Sequence, residues 1–551
     1  MHHGGRLDEA ELAYRAILQS HHHNFGAAYQ LGLLSLQRGR VAESEGFFLL
    51  ATQCNPESAS SHHNRALVLR ALSRHEEALA SCKRAVELEP GNAAILFDHG
   101  RMLVDLLRDE EAIQSFDNSI AIDPSPARIH FARGNALLRL KRPGEALLSF
   151  DKAIAQRPGF PEAHNNRANA LRELNRLEDA LPGYRIAAQL RQNDPVTLHN
   201  FALALHDSGQ FEQALKTYNR AVGLAPNFSE ARKARATLRL LLGEFEKGFA
   251  EFEARLLLPE AAPPLALRPI RYWSGENLEG KSIAIYGDAA FGDLLQFSRF
   301  IPQLIERRAR VILLVPRQFN KVVEAMQLGV SIRSDLDGTA DYRCELMSLP
   351  FLFQARAETI PPQSRIAPDQ PRIAKWKARL SPDWLNVGIC WQGNPERNID
   401  KGRSIALAEF EPLARIPGVR LFSLQKKHGL EQLEVLPDEM VVETFGPDFD
   451  EGPDSFVDTA AVMASLDLIV TSDTSVAHLA AAIGRPTWIA LRYAPEWRWL
   501  LGRQDSPWYP TVRLFRQQQP GRWGTVFDDL ARALSKETAE VRTCGKERDT
   551  I

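Results

Sequence analysis

The stretch Leu466 to Leu491, LDLIVTSDTSVAHLAAAIGRPTWIAL, decides the fold of the C-terminal half. A mostly apolar run, Leu466 to Val470, ends in Thr471-Ser472-Asp473-Thr474-Ser475. A short apolar segment, Val476 to Ile483, follows and stops at Gly484. Pro486 then opens a second apolar run, Thr487 to Leu491. This order predicts strand, polar turn, short helix, turn, strand: a βαβ unit with both strands buried. The turn is rich in helix N-cap residues, and Gly484 sits where a C′ residue belongs. The helix N-terminus then lies beyond the carboxyl end of a buried strand, where its N–H groups and dipole favour an anion. Open α/β sheets place ligands at that edge. His478, one turn into the helix, adds a donor. The competing reading is a capped core helix with a half-buried histidine.

DTSVAHLAAAIGRPTW resembles the C-terminal motif of the heptosyltransferase-like glycosyltransferases of the GT-B group. The resemblance implies that Asp473, Thr474, Ser475 and His478 hold the diphosphate of a nucleotide sugar.

Outward from this motif, three further strand exits bear on the site. Leu385 to Cys390 reads as a strand leaving through Trp391-Gln392-Gly393-Asn394, and Val419 to Leu424 as one leaving through Gln425-Lys426-Lys427. Exits at 391–394, 425–427 and 471–475 are expected on one edge of one sheet. Trp391, Asn394 and Gln425 are thus candidate nucleotide-sugar contacts. The polar stretch PERNIDKGRS, 395–404, carries Arg397, Lys401 and Arg403, cations suited to balancing a departing diphosphate. By the resemblance, Arg403 stands where the family has a catalytic lysine, with Lys401 the nearby alternative. Arginine and lysine differ in geometry, so the identity of this donor stays open. Earlier, Ser282 to Tyr286 reads as a strand, Gly287 to Asp293 as a glycine-bearing turn, and Leu294 to Arg307 as a helix. The turn resembles the family's first loop, which implies that Gly292-Asp293 faces the acceptor and that Asp293 is the general base. The alternative is an N-cap for a helix beginning at Leu294. Asp335-Leu336-Asp337 and Asp448-Phe449-Asp450 read as turns, without a metal. Asp458, near the start of the helix Ser455 to Ala464, reads either as a contact to the ribose or as a cap of the turn, with the cap favoured. Trp497, Arg498, Trp499, Trp508 and Tyr509 read either as packing or as a surface that stacks a base or sugar.

The first half is a repeat array. Pro56, Pro90, Pro124 and Pro158 are each 34 residues apart, and the count continues through Gln192 to Pro226. Small residues recur at Gly32, Ala66, Gly100, Gly134, Ala168 and Ala202, and again at Ser44, Ala78, Ala112, Ala146, Ala180 and Ala214. Rings or similar groups recur at Phe48, Cys82, Phe116, Phe150, Tyr184 and Tyr218. Small residues let two helices cross closely, a ring fills the gap between repeats, and proline ends the second helix. The pattern resembles the tetratricopeptide repeat. Ala10 and Tyr14 fit a truncated first repeat. Gln30, Asn64, Asp98, Ala132, Asn166 and Asn200 share one repeat position. Asn64, Asp98, Asn166 and Asn200 form a candidate ladder that pairs with a peptide backbone, resembling that of the O-linked N-acetylglucosamine transferases. A solvated helix face explains the same residues equally well.

The fold class expected is α + α/β: an all-α tetratricopeptide superhelix, then a GT-B-like pair of Rossmann-like lobes. Boundaries are expected at 1–258 for the repeats, 259–280 for a proline-rich linker, 281–380 and 381–534 for the lobes, and 535–551 for a charged, frayed tail. The stretch FAEFEAR and RYWSGENLEGK resembles the junction of bacterial proteins joining such repeats to a heptosyltransferase-like module. The resemblance implies an inverting, metal-independent transferase with no cofactor beyond the donor nucleotide sugar, and a protein or peptide partner for the repeats.

Composition sets outer limits. The chain has 551 residues, 67 basic and 69 acidic, so no global field draws it to nucleic acid or a membrane surface. Five scattered cysteines suit a reducing, cytoplasmic setting and give no disulfide or zinc framework. No apolar run is long enough to span a bilayer, and the N-terminus lacks a signal-peptide core.

Overall fold

The computed structural model describes residues 7–287, 290–336, 338–396, 400 and 402–548. Two compact units divide the chain, Met1–Ala204 and Leu205–Ile551.

In the first unit, helices of 13 and 14 residues alternate from Phe25 onward, as in Phe25–Gln37 and Val41–Cys54. The helix Leu7–Ser20 precedes them and packs on the first. Second helices end two residues before the periodic prolines: Cys54 before Pro56, Leu88 before Pro90, Ile122 before Pro124. The repeat chemistry is visible at Gly32, Gly100 and Gly134. A Cβ at Gly100 would stand 2.5 Å from Cε1 of Phe116, and one at Gly134 2.6 Å from Cε1 of Phe150. Each ring therefore fills the crossing inside its own helix pair, rather than the gap between repeats that the period suggests. Phe48, Phe116 and Phe150 are fully buried, each a gain of ~1.5–3 kcal/mol from apolar burial.

The second unit opens with the last repeat helices and continues into two parallel sheets. The first sheet contains β1 (Ser282–Tyr286), β2 (Arg310–Leu314), β3 (Ser331–Arg333) and β4 (Tyr342–Glu345), in the order β3-β2-β1-β4. The second contains β5 (Leu385–Cys390), β6 (Val419–Ser423), β7 (Val442–Glu443), β8 (Leu468–Ser472), β9 (Thr487–Leu491) and β10 (Val512–Arg516), in the order β10-β9-β8-β5-β6-β7. Every described pairing within these sheets is parallel. β8 and β9 are buried at every residue, as strands covered on both faces must be. Strand order reverses between β1 and β4 in the first sheet and between β5 and β8 in the second. Those are the switch points where an open α/β sheet leaves a crevice.

Three segments differ from expectation. The helix foreseen from Leu294 instead starts at Phe291, and Pro302 opens a separate helix, Ile301–Glu306. Proline lacks the N–H that an uninterrupted helix needs there. The proline-rich stretch 259–280 is no loose tether, because Leu267, Trp273 and Leu278 are buried. Its backbone bonds to Arg343, with Trp273 N donating to Arg343 O at 2.9 Å, and so continues the edge beside β4. Residues 535–548 of the tail foreseen as frayed belong to the helix Gly524–Arg548, whose earlier Leu530 and Leu534 are buried.

The pair Ser229–Leu241 and Phe245–Phe252 keeps the repeat spacing yet packs on the sheets. Phe249 lies 5.8 Å from Trp497 and 6.5 Å from Trp508, and Arg255 pairs with buried Glu345, the last residue of β4. Among the described residues no helix is long and apolar enough to cross a membrane.

Candidate active site between two sheet edges

The motif folds as its pattern dictates. The helix Ser475–Ile483 leaves the carboxyl end of β8, and Gly484, at φ +88°, closes it in the left-handed region. Thr474 takes the N-cap position, but its hydroxyl makes no cap bond. It turns inward, 3.3 Å from Thr471 Oγ1 and 3.9 Å from Cys390 Sγ. The helix start is thus left without the side-chain cap that the sequence suggests. Asp473 and Thr474 are buried and Ser475 is half-buried.

His478 is buried under Trp499, whose ring stacks at 5.4 Å. Its Nδ1 is 2.8 Å from the Tyr509 hydroxyl. Its other edge meets the first lobe, since a Cβ on Gly292 would stand 3.0 Å from His478 Cδ2 and 3.5 Å from Nε2. Burial, then the charges of Arg498, Arg299 and Arg403, hold the imidazole well below its ordinary pKa. His478 is therefore a neutral group in a cationic setting.

Asp293 comes from the opposite edge. It lies in the first turn of Phe291–Phe297, so the N-cap alternative fails: Ala290 holds that position. Arg498 donates to Asp293 Oδ1 through Nη2, to Glu496 through Nη1 and to Gln296 through Nε. Glu496 also accepts from Arg498 N at 2.9 Å. Burial pushes the Glu496 carboxyl up to about 7, with Asp473 and Asp293 adding to the rise and Arg498 opposing it. One buried guanidinium thus ties β9's exit to the first lobe's helix. Arg299 adds a second tie, donating to Trp508 O at 2.7 Å and to Gln363.

The remaining expected contacts separate into three kinds. Arg403 stands 3.5 Å from Asp400, and its charge reaches His478. Gln425 braces the turn, accepting from Trp391 N at 3.2 Å and Gln392 N at 3.1 Å while donating to Gln392 O at 2.9 Å. Asn394 accepts from Glu396 N at 3.0 Å, closing its own loop. Trp391 does not offer its ring to the edge: it is fully buried in the second sheet's core, with Nε1 donating to Gly429 O. Lys401, Arg397, Asp288 and Asp337 lie outside the described residues. Among the described residues, the buried polar atoms that make no hydrogen bond include Ser472 Oγ, Trp499 Nε1 and Arg403 Nε, the last of which is only ion-paired with Asp400. All three belong to segments of this edge. Among the described residues no group of acidic, histidine or cysteine side chains has a metal-holding arrangement.

Asp458 is not a helix cap on a surface turn. It is buried, accepting from Trp376 Nε1 at 2.9 Å and Arg372 at 2.6 Å, and so locks two helices of the second lobe together. Trp497, Trp499, Trp508 and Tyr509 are buried, as the packing alternative holds. Their segment nevertheless supplies Glu496, which sequence reading missed, and gives Arg498 and Tyr509 polar roles other than the packing or stacking foreseen. The available signal was an acid and an arginine two residues apart, directly after a strand exit.

In the repeats, the ladder residues are half-buried and bonded to side chains. Asn64 donates to Tyr29 at 2.9 Å, and Asp98 pairs with His63 at 2.9 Å. Asn166 donates to Asn135 at 2.7 Å and accepts from Asn165, which accepts from Asn200 at 3.1 Å. Asn135, Asn166, Asn165 and Asn200 are linked in one chain of amide bonds, while Asn64 and Asp98 each pair with a neighbour of their own.

Comparison with known proteins agrees with this architecture. Tetratricopeptide-repeat models match residues 4–59, 63–127, 97–161, 131–195 and 196–228. The glycosyltransferase family 9 (heptosyltransferase) model matches residues 417–496, which include Asp473, His478 and Glu496. The chain thus carries tetratricopeptide repeats followed by a segment that matches the glycosyltransferase family 9 model. The Caulobacter vibrioides protein FlbA is 28% identical over 325 residues, covering 55% of this chain. The chain spans about half the length of that relative, 54%. Among solved structures, the tetratricopeptide protein YrrB, described as having an unusual peptide-binding site, is 22% identical with a TM-score of 0.31. That match covers 34% of this chain and 97% of YrrB. PilF of Pseudomonas aeruginosa is 23% identical with a TM-score of 0.35, covering 42% of this chain and 98% of PilF.

Proposed function

We propose that the chain transfers a sugar from a nucleotide-diphosphate donor to a protein or glycan acceptor, with inversion and without a metal. The observation that carries this reading is the meeting of Gly292-Asp293 with His478 across the carboxyl edges of two parallel sheets. The diphosphate occupies the start of Ser475–Ile483, where backbone N–H groups, Ser475 and neutral His478 donate to it. Arg403, or Lys401, balances its charge as the sugar leaves. Arg498 orients Asp293, which takes the proton of the attacking hydroxyl. The polar ladder of Asn64, Asp98, Asn166 and Asn200 holds an extended peptide of the acceptor or of a recruiting partner.

Calorimetric titration of the full chain with UDP, GDP, ADP and CDP tests the donor site. One of them is expected to bind, and His478→Ala to weaken it about 10-fold or more, the usual scale for a lost bond to a charged group. Equal affinity in the variant places the nucleotide elsewhere. A second reading is a scaffold whose transferase module no longer turns over. It is favoured by the Asp293–Arg498 ion pair and by arginine in place of the family's lysine. Binding of no diphosphate, together with capture of a peptide partner, makes that reading the better one.

A further inference from the structure

The Tyr509 hydroxyl and the His478 ring form a buried pair whose proton arrangement can be derived. Both side chains are nearly inaccessible, Tyr509 at 1% and His478 at 5%. Their bond, 2.8 Å, admits two arrangements: Tyr509 donates to Nδ1, or Nδ1–H donates to the phenol oxygen. In the second, the phenol proton needs another acceptor. Among the described residues the hydroxyl's hydrogen-bond partners are His478 Nδ1 and the guanidinium of Arg299, and of these only Nδ1 can accept. The charged group beside it is Arg299, whose guanidinium lies 4.9 Å from the Tyr509 ring centroid and is anchored on Trp508 O. A guanidinium offers donors and no acceptor. It favours the phenol oxygen as the negative end turned towards it and repels the phenol proton. The second arrangement would strand a buried O–H at its full desolvation penalty.

We propose that Tyr509, backed by Arg299, fixes His478 as the Nε2–H tautomer, so that a neutral N–H donor stands at the junction of the two lobes. Nε2 is the edge that faces Gly292, next to Asp293. Burial, and then the charges of Arg498, Arg299 and Arg403, keep the ring from gaining a second proton, which is consistent with a single donor. Tyr509 is a positioning residue: it acts through His478 and does not itself meet the ligand. As an account of how the diphosphate is held, the inference rests on the transferase reading. The tautomer itself does not, because it follows from contacts within the protein.

The test is long-range proton–nitrogen correlation spectroscopy on the full chain labelled with ¹⁵N-histidine. The His478 signals are assigned by their absence in His478→Gln. The expected result is a neutral ring protonated at Nε2, and loss of that single tautomer in Tyr509→Phe, which keeps the ring but removes the hydroxyl. A ring protonated at Nδ1, an imidazolium at pH 7, or a tautomer unchanged in Tyr509→Phe would overturn the proposal. The wild-type spectrum decides the tautomer even if the variant folds poorly. In parallel, Tyr509→Phe is expected to weaken the nucleoside diphosphate found by calorimetry roughly 10-fold. A chain that shows the Nε2–H tautomer but binds none of the four diphosphates overturns the transferase reading and leaves the tautomer assignment in place.

Discussion

The repeats and the sheet edges hold their elements together in different ways. In the repeats, a glycine and a ring 16 residues later meet within one helix pair, and the same contact recurs at Gly32, Gly100 and Gly134. At the sheet edges, Asp293 and Arg498 are 205 residues apart, and Arg299 and Trp508 are 209 apart. The first arrangement is local and redundant. The second is non-local and singular, so one substitution there has no neighbour of the same kind to share its effect. Repeat arrays distribute stability over nearest-neighbour contacts, whereas a packed α/β core concentrates it.

The sharpest way to probe the singular region is its proposed chemistry. Once a donor is identified, Asp293→Asn should bind it normally but transfer at least ~100-fold more slowly, the usual worth of a positioned base. Equal rates in wild type and variant would reduce Asp293 to a partner of Arg498. Next comes the ion cluster. Arg498→Met removes a buried cation facing Asp293 and Glu496 and should cost ~3–5 kcal/mol, because breaking a buried pair leaves its partners uncompensated. Hydrogen exchange should show the loss across the sheets while protection in residues 7–204 holds. A uniform loss through both units would contradict the contrast drawn between them.

A smaller effect is expected from the repeats. Gly134→Ala drives a methyl against Phe150 and should cost ~1–3 kcal/mol, as overpacking does. The damage should stay within the adjoining helix pairs, which exchange rates can resolve. The mildest test is pH. The Glu496 carboxyl, ordinarily near 4.5, is pushed up to about 7 in the fold, so it binds a proton more tightly folded than unfolded. That contribution to stability is complete below about pH 4.5 and is lost as pH rises to about 7. Glu496→Gln should flatten that decline in a thermal-unfolding series. Glu496 is faced by Arg498, Asp473 and Asp293, and an unchanged slope would mean that Glu496 is not the group that titrates.

Most of the fold could be read from local pattern. β1 and β5 run between the residues that the apolar runs indicate, and the prolines mark the ends of the second helices. The helix at Phe291 could not be placed as well. Its first turn carries Gly292, a poor helix former, and only contact with the helix Ser475–Ile483 explains why the turn closes early. Trp391 shows a different limit. A tryptophan at a strand exit has two places to go, and the choice between cleft and core depends on the space left by Phe410, Phe527 and their neighbours.

By itself the sequence determined the period of the repeats, the parallel strands of the second sheet and the motif from Asp473 to His478. Those features rest on residue spacing, and spacing is a property of one dimension. Only the tertiary structure decided that Arg498 pairs with Asp293, that Glu496 sits among carboxylates, and that Tyr509 orients His478. Each of those bonds joins strand exits or helix starts far apart in the chain, and strand order, not chain order, makes them neighbours.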